Sequence, residues 1–321
     1  MRITRRLFTA ALAGAMTLTT VPLLAGWSPA AAQEKVLRIG YQKYGTLVLL
    51  KGKGTLEEKL SPLGWSVEWT EFPGGPQLLE ALNVGAIDFG STGEAPPIFA
   101  QAAGAPLVYV AHEPPAPRGE AILVPKDSPI RSVADLKGKT VVLNKGSNVH
   151  YLLVKALEEA GVAYGDVTVS FLPPADGRAA FEQGSADAWA IWDPFQAAAE
   201  VATEARTLRN GEGIVSNHQF YLGAKPFVDA NGEAIDALIA AIGEVDEWTR
   251  ANPAEAAAEL APSVGIPADV LTIALERQSF GVKPLDDAVV AEQQRIADTF
   301  HALGLIPAPI AIAEAVRKAG S

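Results

Sequence analysis

Phe72 to Ala103, FPGGPQLLEALNVGAIDFGSTGEAPPIFAQAA, reads as one copy of a unit that occurs twice. Shifted by 99 positions it overlays FLPPADGRAAFEQGSADAWAIWDPFQAA, which begins at Phe171. Phe72 falls on Phe171, Ala81 on Ala180, Gly85 on Gly184 and Asp88 on Asp187, while acidic Glu94 falls on acidic Asp193. The pattern predicts the same backbone in both copies: a short helix ended by a glycine able to take positive φ, an apolar strand, a turn and a second helix. Two copies predict two similar lobes.

The expected turns differ in chemistry. Gly90-Ser91-Thr92-Gly93-Glu94 is small and rich in hydroxyls, so backbone and side-chain donors can approach a ligand closely. Trp189-Ala190-Ile191-Trp192-Asp193-Pro194 is bulky and aromatic. Ligands of open α/β sheets gather where strand ends meet, so two such turns facing each other would wall a cleft.

Residues 1–32 read as an export signal: Arg2, Arg5 and Arg6, an apolar run from Leu7 to Leu24, and an A-x-A pattern at Ala30-Ala31-Ala32. Arg5-Arg6 before Leu7-Phe8 resembles the twin-arginine consensus, and an ordinary Sec signal carries such a pair too, which leaves either route open. Gly14, Thr17 and Pro22 interrupt the apolar run and argue against a retained anchor. Removing this leader takes away three arginines and no acid, moving the formal net charge from −11 to −14. So acidic a chain lacks the basic footprint that nucleic acid or anionic lipid needs, and a small anion must be held by local dipoles. There is no cysteine, so stability rests on the core.

Along the mature chain, Val36 to Lys43 reads as a strand with Gln42 at its polar tip, followed by a helix from about Tyr44 to Leu60 and a strand from Val67 to Phe72. Lys51-Gly52-Lys53-Gly54-Thr55 has the wrong spacing for a phosphate loop. Glu113-Pro114-Pro115-Ala116-Pro117-Arg118-Gly119 cannot lie inside a sheet or helix and reads as a first crossing between lobes, with SNHQFYLG from Ser216 as the return. Ser132 to Lys139 reads as a short capped helix. Thr140 to Leu143 is an expected strand leading into Asn144-Lys145-Gly146-Ser147-Asn148-Val149-His150, where Ser147 and Asn148 open a helix. A strand, a glycine turn and a helix N-terminus make an anion site from free N–H groups and the helix dipole. Ser147 and Asn148 can cap that helix, donate to a ligand, or do both. From Lys225 the chain reads as helices to the end, the last from Ala311 to Lys318, with this tail packed on the first lobe. The expected domains are therefore 33–117 and 219–321 for lobe 1 and 118–218 for lobe 2.

Taken together, Gly40-Tyr41-Gln42-Lys43, the block from Glu71 through Ala103, Glu113-Pro114-Pro115, Lys145-Gly146-Ser147 with His150, Trp189 to Pro194 and Phe220-Tyr221-Leu222 closely resemble aliphatic sulfonate substrate-binding proteins of ABC transporters. The resemblance implies an α/β, two-lobed periplasmic-binding-protein fold of type II. It implies a periplasmic monomer that captures an alkanesulfonate in its cleft and delivers it to an inner-membrane ABC permease, without a cofactor. Related binders of taurine, nitrate or thiamine-precursor pyrimidines supply the alternative ligands. Carried over residue by residue, the implied ligand shell is Gln42, Ser91, Thr92, Ser147, Asn148, His150, Trp192 and Asp193. Asn148 and Val149 depart from the hydroxyl residues that the family often places after the glycine. Each of the eight has a plainer role beside the functional one: Ser91 and Thr92 can cap a helix at Pro96-Pro97, His150 can lie on the polar side of its helix, Trp192 can be core, and Asp193 can be an N-cap with Pro194 at the first helical position.

An enzyme is the competing class, since the implied fold also hosts thiamine-precursor synthesis. His112, His150, His218 and His301 lie far apart in sequence without metal-ligand spacing, and there is neither a G-x-S-x-G elbow nor a thiol. A chemotaxis receptor would use the same cleft with a different surface partner.

Overall fold

The computed structural model describes residues 35–318; the expected leader lies outside them. Two five-stranded sheets form, one from each lobe. In chain order the first half contributes β1 (Lys35–Tyr41), α1 (Thr46–Lys53), α2 (Thr55–Leu60), β2 (Trp65–Glu71), α3 (Gly75–Asn83), β3 (Phe89–Gly93), α4 (Ala95–Ala102) and β4 (Leu107–His112). The middle contributes β5 (Glu120–Val124), β6 (Thr140–Leu143), α5 (Asn148–Glu159), β7 (Thr168–Phe171), α6 (Pro174–Glu182), β8 (Ala188–Trp192), α7 (Phe195–Thr203) and β9 (Arg206–Asn210). β10 (Gln219–Ala224) follows, then α8 (Lys225–Ala230), α9 (Gly232–Ala251), α10 (Pro253–Val264), α11 (Ala268–Arg277) and α12 (Asp287–Ala302).

The sheet orders are β2-β1-β3-β10-β4 and β7-β6-β8-β5-β9. In each, the first three strands are parallel and the fourth runs antiparallel between its neighbours. β10 completes the first sheet although it comes after all of the second, so the backbone crosses between sheets twice.

The repeat expected at an offset of 99 is present in the backbone. α3 and α6 begin at Gly75 and Pro174, and β3 and β8 run Phe89–Gly93 and Ala188–Trp192. The two glycines lie in the left-handed region, Gly85 at φ 72° and Gly184 at φ 74°. Asp88 accepts the backbone N–H of Arg38 at 3.0 Å, and Asp187 accepts that of Thr140 at 2.8 Å. A carboxylate just before the third parallel strand therefore ties it to the first in both lobes.

Four local expectations are corrected. Gly90–Gly93 and Trp189–Trp192 are strand, not turn, because β3 and β8 are central strands whose backbones are hydrogen-bonded on both sides. The helix expected over 44–60 breaks at Gly54, where φ of 67° ends α1 and starts α2. Ser132 and Asp135 do form a capping box, but over a 3-10 turn, Val133–Leu136. The segment 311–318 holds only the 3-10 turn Ile312–Ala315, since Val316 and Arg317 pair with Tyr109 at the β4 edge. The tail also serves both lobes. α9 and α10 pack on α1, and α12 on α4, but α11 packs on α7, with Val270 and Ala274 against Ala197.

Candidate functional site

A cavity enclosing about 50 Å³ lies between the two sheets' strand ends. At about 10–15 Å³ for a single water, that is space for a few water-sized groups. Thr46, Gly75 and Asn148, the first residues of α1, α3 and α5, line it. Neither lysine nor arginine is among its lining residues. These three helices carry no acid in their first turns, nor do α4, α7 and α8, whereas α2 carries two and α6, α9, α10, α11 and α12 one each. First-turn acids neutralise the positive end of a helix dipole, so three ends without a first-turn acid face one small space, with the Asp246 carboxyl group accepting from the Thr46 hydroxyl at the start of α1. The arrangement suits an anion with several acceptor oxygens and no need of a fixed cation.

Five of the eight sequence candidates line the cavity: Gln42, Ser147, Asn148, Trp192 and Asp193. Gln42, just beyond β1, is 4% exposed and donates from Nε2 to the Ser91 carbonyl at 3.0 Å. Ser147 takes the N-cap position of α5 in extended backbone, but its hydroxyl turns back to the Asn144 carbonyl at 2.6 Å and caps nothing. The opening N–H groups of α5 therefore have no side-chain acceptor from their cap. Asn148 spans the lobes, accepting from Ala95 N–H at 3.1 Å and donating to Asn217 Oδ1 at 2.5 Å. Gly93 permits this approach, since a Cβ there would fall 2.0 Å from Asn148 Nδ2. The Trp192 ring reaches across to Gly74 of the other lobe. Asp193 Oδ1 accepts the Ala197 N–H at 3.0 Å, which ties it to α7, although Pro194, not Asp193, occupies the formal N-cap.

Ser91, Thr92 and His150 are not among the lining residues. Ser91 and Thr92 are buried within β3, the Thr92 hydroxyl donates to the Gly93 carbonyl, and α4 has no side-chain cap. His150 is fully buried on the apolar side of α5, among Phe99, Phe171 and Phe300. Its Nδ1 accepts from Gly146 N–H, so Nε2 carries the proton and donates to Tyr164 Oη at 2.6 Å. Burial and the nearby Lys145 charge lower its pKa to about 4, so it is neutral.

Glu113, Asn217, His218 and Gln219 line the cavity from the two crossings, and the sequence reading did not single them out as ligand residues. The signal was the crossings themselves, because the strands joining two lobes form a cleft's floor. His112 and His218, 106 positions apart in sequence, have ring centroids 5.2 Å apart, because β10 runs antiparallel beside β4. Both place Nδ1 against the Glu113 carbonyl, at 2.9 and 2.8 Å, so both donate to it. Among the described residues no group of histidines and carboxylates could hold a metal. Buried acids surround this floor. Burial pushes Glu94 up to about 8, and burial with the Asp246 charge pushes Glu113 up to about 9. Burial followed by the Glu94 charge raises Glu120 well above the carboxylate range. Burial raises Asp193 only to about 6, since Arg277 opposes it.

Residues 64–256 match the family described as NMT1/THI5 like. An aliphatic sulfonates-binding relative of Escherichia coli (strain K12) is 45% identical over 313 residues, 97% of this chain and 96% of the relative. Among solved structures, the alkanesulfonate-binding protein of Xanthomonas axonopodis pv. citri bound to MOPS superposes with a TM-score of 0.86 at 43% identity, covering 90% of this chain and 100% of that one. The periplasmic aliphatic sulphonate binding protein of Escherichia coli gives 0.80 at 46% identity, covering 88% and 92%. These relatives are binding proteins, not enzymes, and they have the two-lobed periplasmic-binding-protein fold. The chain belongs to the NMT1/THI5-like family, among the aliphatic sulfonate substrate-binding proteins of ABC transporters.

Proposed function

We propose that this chain is the periplasmic substrate-binding component of an ABC importer, which captures an aliphatic sulfonate between its lobes and hands it to an inner-membrane permease. The observation that carries this reading is the convergence of the acid-free openings of α1, α3 and α5 on one cavity without a lining cation. A sulfonate carries three acceptor oxygens and no proton at neutral pH, so neutral N–H donors match it, whereas phosphate also wants an acceptor. Gln42, Ser147, Asn148, Trp192 and Asp193 surround the ligand, with the Trp192 ring as the apolar wall for its alkyl part. Lobe 1 comprises residues 33–117 and 219–321 and lobe 2 residues 118–218, and the crossings act as the hinge. The protein is exported through the leader at residues 1–32 and works as a monomer, independently of nucleic acid.

The test is a thermal-shift panel on the mature chain, because a ligand that binds only the native state raises the melting temperature. Short-chain alkanesulfonates are expected to raise it. A rise with nitrate or a pyrimidine but with no sulfonate would overturn the assignment.

A further inference from the structure

Two buried polar atoms at the cavity have no hydrogen-bond partner among the described residues, and they are of opposite kind. Gln219 Nε2 is a donor without an acceptor, and Asp193 Oδ2 is an acceptor without a donor. Both residues line the cavity, Gln219 from β10 of the first sheet and Asp193 from the end of β8 in the second. A buried polar atom left unpaired is costly, so an occupant that completes both atoms is favoured over one that completes either. A plain alkanesulfonate answers Gln219 through its oxygens and offers Asp193 nothing.

The charges around Asp193 point the same way. Arg277 lies 3.5 Å from Asp193 Oδ1 and 2.6 Å from Glu200 Oε2, so one cation serves two carboxylates. The Ala197 N–H holds Oδ1 in place and leaves Oδ2 as the open oxygen. Glu113, the other acid lining the cavity, already has both oxygens engaged by Tyr221 Oη at 2.6 Å and Gly281 N–H at 2.8 Å. Beside Asp193 stands the Trp192 indole, whose face attracts cations.

We propose that the preferred ligands are zwitterionic sulfonates, in which a protonated amine on the alkyl part donates to Asp193 Oδ2 while the sulfonate accepts from Gln219 and the helix openings. This deepens the sulfonate-binding reading above and rests on it. The Asp193 carboxyl, raised by burial to about 6, is still ionised at pH 7.5 and is faced by Arg277 of α11 and Glu200 of α7.

The experiment is isothermal titration of the mature chain with 3-aminopropane-1-sulfonate and butane-1-sulfonate, which differ only in an ammonium for a methyl group. At pH 7.5 the amine is expected to bind about tenfold tighter or better, as a hydrogen bond to a charged group contributes. The preference is expected to narrow at pH 5, where Asp193 takes up a proton, and to vanish in Asp193→Asn. Circular dichroism is the folding control for that variant, and the pH series on the parent chain decides if the variant does not fold. Butane-1-sulfonate binding as tightly as the amine would overturn this inference and leave the sulfonate reading standing. No binding of either would overturn both.

Discussion

Asn148 Nδ2 donates to Asn217 Oδ1 at 2.5 Å, while Asn148 Oδ1 accepts from Ala95 N–H at 3.1 Å. One amide thus joins the start of α5 in the second lobe to the start of α4 in the first and to the returning crossing.

Removing that amide is expected to loosen the closed arrangement. Asn148→Ala loses two hydrogen bonds, about 2 kcal/mol in all at the usual net value. The melting temperature should fall by roughly 4–8 °C for a chain of this size. Gly93→Ala, which drives a Cβ into the same amide, should reproduce the loss. Small-angle scattering should show a larger radius for both variants. Unchanged melting and scattering in both would show that this contact does not hold the lobes together.

Ser147→Asp should abolish detectable binding of alkanesulfonate, because it places a carboxylate at the opening of α5 where the anion is proposed to sit. The fold should survive, since a negative charge is well placed at a helix N-terminus. Ser147→Ala should weaken binding by about 1 kcal/mol at most. Titration calorimetry with circular dichroism separates these outcomes, and parent-like binding by the aspartate variant would move the anion elsewhere.

His150 gives the native chain a sensitivity to mild acid. Its pKa is lowered to about 4 by burial, from an ordinary value of 6.5. Between those values the unfolded chain holds a proton that the native chain refuses, so stability rises with pH through that window and is flat above it. The full effect is about 3 kcal/mol. His150→Leu should lower stability at pH 7, where Gly146 N–H and Tyr164 lose their partner, yet flatten the slope between pH 4 and 6.5. Urea denaturation across that range measures it, and an unchanged slope would exclude His150 as the cause.

Glu120 behaves in the opposite sense. Both its oxygens are buried without a hydrogen-bond partner among the described residues, and burial raises its pKa well above the usual range. The native chain therefore keeps a proton that the unfolded chain has released, and stability falls as pH rises from the unfolded pKa towards the native one. Glu120→Gln stays neutral at every pH. It should gain on the parent progressively from pH 5 to pH 8 in denaturant midpoint, and a constant difference would contradict the assignment.

The sequence disclosed what is local or periodic. The repeat was legible because Gly85 and Gly184 must take positive φ and Asp88 and Asp187 must cap a neighbouring strand, so each residue is dictated by its own backbone. Ser91 and Thr92 were misplaced because hydroxyls between glycines look like a turn, and only β1 and β10 on either side make them a central strand. The burial of His150 is not legible in the sequence, because its aromatic surroundings come from Phe99, Phe171 and Phe300 on three distant elements. Gln219 and His218 were visible only as part of a crossing, since Gly45, whose backbone lies close against the Gln219 amide, and Glu113, whose carbonyl accepts from His218, lie far back in the chain. Asp193 entered the implied shell through the resemblance, and its Arg277 partner is hidden in the sequence because it comes from the tail that the sequence assigned to one lobe alone.

The acid-free openings of α1, α3 and α5 bear on how such a protein can change over generations. A peptide N–H is present whatever side chain its residue carries, proline excepted. Substitutions around the cavity therefore remodel the surface that meets the organic part of a ligand while the dipole ends that favour its anionic end persist. A lineage built this way can drift from one tail to another in small steps, each intermediate still retaining a hold on the headgroup.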